Sequence, residues 1–394
     1  MLVDGEAIVK TPAHTRRCQS YSADARAAVR EFHAGVSQPD MAFVLFFCSS
    51  EYDLDALADE MQRQFAGVQV IGCTTAGEIG PAGYRDHSIT GASFATESFA
   101  AVSGLIAPLR EFDFAAGEAF AQAQLQKLEC LAPRTTPDKT FALLLIDGLS
   151  IREEPVTRVL QNALGDIPLV GGSAGDGLNF NQTHVYFGGR FHTDAAVVVL
   201  VTTALPFRIF KIQHFVPTEE RLVVTDADAT CRLVREINGL RADEEYARIG
   251  HIDPHDLQPT RFASSPMVVL IDGTNYVRSI QQANQDGSLT FYCAIEEGLV
   301  LRVARGVDLV ANMAAAFAQI QSEIGVPELV LGCDCILRKL EISEKGLTDQ
   351  VSHIFERNNG IGFNTYGEQY RGIHVNQTLT GIAIGCRASE HSHG

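Results

Sequence analysis

Three stretches of the chain carry the same alternation of apolar and polar positions. From Phe43 to Glu78 an apolar run (FVLFFC) is followed by an amphipathic segment (LDALADEMQRQF), a short apolar run (VQVIG) and a polar glycine loop (CTTAGE). Phe141 to Asp176 repeats that order as FALLLID, EEPVTRVLQNAL, IPLVG and GSAGD. Apolar runs of this length predict buried strands, and apolar residues recurring every three or four positions predict helices. A strand, helix, strand order predicts parallel pairing through a right-handed crossover.

A third copy closes the chain. ELVLGCDCIL predicts a strand, LTDQVSHIFERN a helix, and IGFNTYGEQ and QTLTGIAIG the segments that follow. Gly72, Thr75, Gly77, Glu78, Thr90 and Gly91 each recur 290 positions later without a gap. Between the second and third copies the pattern is β-rich. His184 to Phe191 with Ala195 to Val201 reads as a hairpin, and further strands are expected over Phe207 to Phe215, Leu222 to Thr225, MVVLIDG, NYVRSI and LTFYCAI, with turns at Asp272-Gly273 and Asp286-Gly287. CRLVREING reads as a helix. The fold expected is mixed α/β, with repeated strand–helix–strand units extended by antiparallel β-hairpins. Its divisions are an extension over 1–39, domains over 40–225 and 226–387, and a polar tail over 388–394.

The net charge of −17 comes without any dense run of Lys or Arg, which argues against nucleic acid and against anionic membrane as partners. Ala195 to Phe207 is the best membrane candidate, but it is too short to span and is interrupted by Thr202, Thr203 and Pro206. Nine scattered cysteines, several inside apolar runs, fit a reduced cytoplasmic chain.

Each repeat ends in small polar residues, a glycine and an acid: Thr74, Thr75, Gly77, Glu78; Ser173, Gly175, Asp176; Asn364, Thr365, Gly367, Glu368. Glycine lets a ligand approach the backbone, hydroxyls and N–H groups can hold a carboxylate, and the acid can receive an ammonium. Three equivalent tight turns would also need glycine for geometry alone. Such loops lie beyond the carboxyl ends of the strands, where α/β sheets bind ligands. Tyr366 in the third loop and Asn376 shortly after it complete the candidate ligand set. No nucleophile elbow, HExxH or P-loop appears. An enzyme using Glu78 or Glu368 is the least favoured reading.

GCTTAGE, GGSAGD, YGEQ and VNQTLTG together resemble the FIST family of sensory modules, over nearly the whole chain. The resemblance implies a ligand-binding sensor without catalysis, feeding a histidine kinase or a cyclic-di-GMP enzyme, with amino acids as proposed ligands. KIQHFVPT, NGLRADEEYARIG, SLTFYCAIEEG and TYGEQYRGIHVNQT are most similar to the nitric-oxide-sensing branch called NosP. That branch implies haem b held non-covalently, since there is no CxxCH, with His184, His214 or His374 as axial ligand. A haem-free module binding an amino acid or similar small polar molecule is the alternative.

Overall fold

The computed structural model describes residues 14–271 and 273–386. The tail over 388–394, residues 1–13 of the extension, and Asp272 of the expected Asp272-Gly273 turn lie outside the described residues.

All three expected strand–helix–strand units form, each with its two strands parallel. In unit I, Met41–Ser49 pairs with Val70–Thr75 across the helix Leu54–Gln64. In unit II, Thr140–Ile146 pairs with Leu169–Ser173 across Glu153–Leu164. In unit III, Pro327–Cys335 pairs with Gly360–Thr365, and two helices fill the crossover, the expected Thr348–Arg357 and an unexpected Ile336–Glu344. The extra helix buries Arg338 and Glu341 among its apolar residues, which breaks the amphipathic signature that sequence reading depends on.

Each unit adds one antiparallel strand beside its first: Ile89–Ala95, Ala196–Thr203 and Leu379–Gly385. The rest of each six-stranded sheet comes from its neighbours. The hairpin Glu78–Gly80 with Gly83–Arg85, which follows unit I's loop, pairs with Gly360–Thr365 of unit III. Unit III's hairpin, Glu368–Tyr370 with Ile373–Val375, pairs with Leu169–Ser173 of unit II. Unit II's hairpin, Val185–Phe187 with Arg190–His192, pairs with Val70–Thr75 of unit I. Edge strands pass the other way: Phe99–Ile106 to unit II, Phe207–Ile212 to unit III and Thr15–Ser20 to unit I. The exchange closes on itself, so the three units form a ring. It also corrects the expected pairing of His184–Phe191 with Ala195–Val201, because Ala196–Thr203 lies inside unit II's own sheet.

Strand alternation explains the unbroken apolar runs. Phe43, Leu45 and Phe47 of unit I, Leu143 and Leu145 of unit II, and Leu329, Leu331 and Cys333 of unit III share one central core. The residues between them, such as Val44 and Phe46, or Ala142 and Leu144, face the helices outside.

One body interrupts the ring. Between Phe207–Ile212 and the helix Leu309–Ile324, residues 215–306 form an eight-stranded sheet with the helices Ala242–Gly250 and Pro259–Ser264. Its core, which includes Leu222, Ile237, Phe262, Phe291 and Leu301, is separate from the ring's. The chain enters and leaves this insert side by side, with the Val307 N–H donating to the His214 carbonyl at 2.8 Å. CRLVREING is not a helix here: Leu233–Ile237 is a strand that reverses at Asn238 and Gly239, both at positive φ (55° and 75°), to meet Leu240–Arg241. Asn-Gly is a preferred hairpin turn, and that local signal outweighs the short apolar pattern. The Asp286-Gly287 turn joins Ile280–Ala283 to Leu289–Phe291 as expected.

Candidate functional site

The three glycine loops meet and lace together through their backbones. Ala76 N–H donates to Asn364 O at 2.9 Å and Asn364 N–H to Gly77 O at 2.7 Å. Gly175 N–H donates to Thr74 O at 3.0 Å, and Ser173 N–H to Gly367 O at 2.9 Å. Side chains reinforce the lacing. Thr74 Oγ1 accepts from His184 N–H at 3.0 Å, and Ser173 Oγ from the Gln369 amide at 3.0 Å. The Asp176 carboxylate accepts from the N–H groups of Phe180, Asn181 and Gln182 at 2.8–3.0 Å and from the Tyr366 hydroxyl. Thr74, Ser173, Gly175, Asp176 and Tyr366 of the expected ligand set therefore hold the ring closed.

The two glutamates differ. Glu78 is fully buried, and burial pushes its carboxyl up to about 7, against hydrogen bonds from Thr75 and from the Ser88 hydroxyl and N–H at 2.8 and 2.9 Å. Thr75, Gly77 and Glu78 line a cavity of about 270 Å³ with Ser49, His87 and Lys339. Among the described residues Glu368 accepts only from Thr378 N–H, at 3.1 Å, and its Oε2 has no partner. Burial and then the charge of Asp334 push its carboxyl well above the usual range.

Glu368 pairs with Val375, so it faces away from the next cross-strand pair, Gln369 and His374. On the face carrying Gln369 and His374, Gly367 and Asn376 follow by alternation. A side chain at Gly367 would stand 2.2 Å from His374 Cε1 and 2.6 Å from its Nε2, so glycine is what lets the imidazole pack against this loop. Gln369 Nε2 lies 3.3 Å from His374 Nδ1 and donates at shorter range to Ser173 Oγ (3.0 Å) and Gly367 O (3.2 Å). His374 Nε2, Gln369 Oε1 and both amide atoms of Asn376 are buried without a partner among the described residues.

The helix Glu153–Leu164 covers this face. Gln161 meets Gly372 at the hairpin tip, and one turn earlier Thr157 presents a buried hydroxyl that also lacks a partner among the described residues. The insert closes the far side. Arg232 donates to Glu153 at 2.7 Å, to Glu154 at 2.5 Å and to Tyr292 O at 2.6 Å, and Ala294 N–H donates to Glu154. Ser279 donates to Gln377 Oε1 at 3.1 Å, and Gln377 donates to Ala263 O at 2.6 Å. Outside the Arg232 contact opens a cleft of about 480 Å³, with Ser150, Ile151 and Arg152 on the ring and Thr230, Arg232 and Ala294 on the insert. Ile151 and Arg232, on opposite lips, both adopt left-handed φ (55° and 57°), a strained conformation, above all for β-branched Ile151. Burial lowers the His374 pKa; Glu154 and Glu153 oppose that effect, while Arg232 and Arg278 add to it.

The three candidate haem ligands are held differently. His214 has both ring nitrogens engaged, Nε2 to Glu341 at 2.9 Å and Nδ1 to Arg338 at 3.0 Å. His184 is half-buried, with Nδ1 unpartnered among the described residues and its ring against Phe191. His374 has a free Nε2, but amide, hydroxyl and charged groups surround it. A haem plane needs a broad apolar slot. An apolar cavity of about 600 Å³ beside Phe112, Phe114, Pro155 and Val159 has no histidine in its lining.

Sequence reading missed Glu153, Glu154, Thr157, Arg232, Arg278 and Gln369. Acids in a first helical turn are ordinary helix chemistry, so Glu153 and Glu154 gave no separate signal. Arg232 was hidden by the helical reading of its segment.

No curated protein matches the chain. Two family models do: FIST N domain over residues 42–240 and FIST C domain over residues 242–371, meeting within the insert. The chain belongs to the FIST family, whose domains serve sensory signal transduction.

Proposed function

We propose that the chain is a sensor whose ligand is a small polar molecule, an amino acid or a compound like it, bound between the ring and the insert. Asn376 carries the reading. It is fully buried, and neither atom of its amide has a partner among the described residues. Buried amides are almost always satisfied, so one left open on both sides near an unpartnered imidazole nitrogen marks a place for a molecule of complementary hydrogen bonding. Occupancy is then relayed to a signalling partner, such as a histidine kinase or a cyclic-di-GMP enzyme, through the insert or the ring surface beside it.

The test is a thermal-shift screen of amino acids and related polar metabolites, followed by calorimetry on the chain and on Asn376→Ala. A compound that binds the native chain and loses about tenfold or more in affinity with Asn376→Ala supports the reading. Binding that is indifferent to Asn376 defeats it. A visible spectrum taken with haem and then nitric oxide tests the reading implied by the NosP resemblance. A Soret band that shifts with the gas would replace the polar ligand with haem.

A further inference from the structure

Two arginines of the insert act on His374, and only one is neutralised among the described residues. Arg232 reaches two carboxylates and a carbonyl. Arg278 ends the strand Thr274–Arg278, which lies against the His374 strand Ile373–Val375. Its charge acts on both His374 and Cys293. Among the described residues its Nε is buried without a partner, and Nη1 has only the Val277 carbonyl, at 3.4 Å. It makes no ion pair among the described residues, although a guanidinium stays charged in any protein environment. Glu154, the acid that acts on the same histidine, is already held by Arg232 and Ala294.

We propose that Arg278 reads an anionic group on the ligand, a single carboxylate, and that the ligand thereby ties the insert to the ring. This rests on the polar-ligand reading above and names the chemistry of that ligand. Two oxygens in a plane match the guanidinium fork. Glu153 and Glu154 close by disfavour a doubly charged phosphate. Asn376, His374 and Thr157 on the ring take the ligand's remaining polar groups, so a bound molecule touches both bodies at once. The insert is joined to the ring by two adjacent chain passes and by packing of Ala263 and Tyr292 against Ile336, Leu337 and Tyr366, and a ligand bridging the polar side would restrict its motion further.

The experiment uses the full chain, its Arg278→Gln and Asn376→Ala variants, and a library of small monocarboxylic acids paired with their primary amides. Because Arg278 Nε has no partner to lose, Arg278→Gln is expected to keep the native melting temperature without ligand. At least one acid should bind the native chain about tenfold or more tightly than its amide, and Arg278→Gln should remove that preference. Hydrogen exchange across 215–306 should slow with the acid in the native chain and not in Arg278→Gln. An acid and its amide that bind equally, or an acid whose affinity ignores Arg278→Gln, overturns the proposal. In that case, loss of binding in Asn376→Ala still upholds the polar-ligand reading. A library in which nothing binds defeats both.

Discussion

Arg338 Nε donates to Asp334 at 2.6 Å, and neither side chain touches solvent. The pair heads a buried chain of polar groups: the Tyr84 hydroxyl donates to Asp334 at 2.7 Å, Arg338 Nη1 meets His214 Nδ1, and His214 Nε2 donates to Glu341. Tyr84 belongs to unit I's hairpin, Asp334, Arg338 and Glu341 to unit III, and His214 to the joint with the insert. One network thus fixes the strand exchange and the base of the insert together. Removing one charge of a buried pair leaves the other uncompensated. Arg338→Met is therefore expected to cost about 3–5 kcal/mol in urea unfolding. The double change Arg338→Met with Asp334→Leu should cost clearly less than the sum of the two single changes, because the partners share one interaction.

The repeat that sets up this network was legible in the sequence, because buried parallel strands and their helices leave a strong apolar pattern, and six residues kept their register across 290 positions. What the pattern could not say is which sheet each hairpin joins. Glu78–Gly80 and Glu368–Tyr370 follow equivalent loops, yet each pairs with a strand of another unit, and that choice rests on contacts distant in sequence. The polar cluster around Asn376 was half legible. Gly367, Asn376 and His374 lie in the motif-bearing third copy, whereas Glu154, Arg232 and Arg278 come from a helix start and an insert whose charges look like ordinary surface residues.

Buried ionisable groups give the stability two opposing pH dependences. Burial lowers the His214 pKa, with Arg338 adding to the effect and Glu341 opposing it. The unfolded chain then takes up a proton that the folded one refuses, so stability present above the free imidazole value of about 6.5 is lost as pH falls below it. Glu78 has the opposite sign. Its folded carboxyl keeps its proton up to about 7, whereas the unfolded one releases it in the usual carboxylate range, so stability falls as pH rises between the two. Glu78→Gln should gain on the native chain over that interval, by up to about 3 kcal/mol, and the gain should level off above it. Urea midpoints from pH 4 to 8 for both chains measure the difference. A constant difference would mean that Glu78 titrates normally.

The Arg232 contact is expected to set how closely the insert sits on the ring. Arg232→Met leaves Glu153, which is buried, and Glu154 without their cation, so the cleft should open. Cys130 on unit II and Cys231 on the insert are both exposed thiols. With the partly and fully exposed Cys18 and Cys386 replaced by serine, dyes on that pair report the separation of the two bodies. Energy transfer should fall in Arg232→Met compared with the parent, and an unchanged signal would show that the remaining contacts hold the insert alone.

The side-by-side entry and exit of the insert lead to a stricter expectation. Because His214 O and Val307 N are hydrogen-bonded, residues 215–306 can be replaced by a short Gly-Ser link without stretching the ring. The ring keeps its three sheets, its central core and the polar chain through His214, all of which lie outside the excised segment. It should therefore unfold cooperatively, with its amide protection retained over Met41–Ser49, Thr140–Ile146 and Pro327–Cys335. It should also lose any ligand of the cleft, since Arg232, Arg278 and Ala294 leave with the insert. A folded ring that still bound such a ligand with native affinity would place recognition wholly on Asn376, His374 and the Glu153 helix. An excised chain that failed to fold would show instead that the insert supports the ring, through the contacts of Ser279 and Ala263 with Gln377.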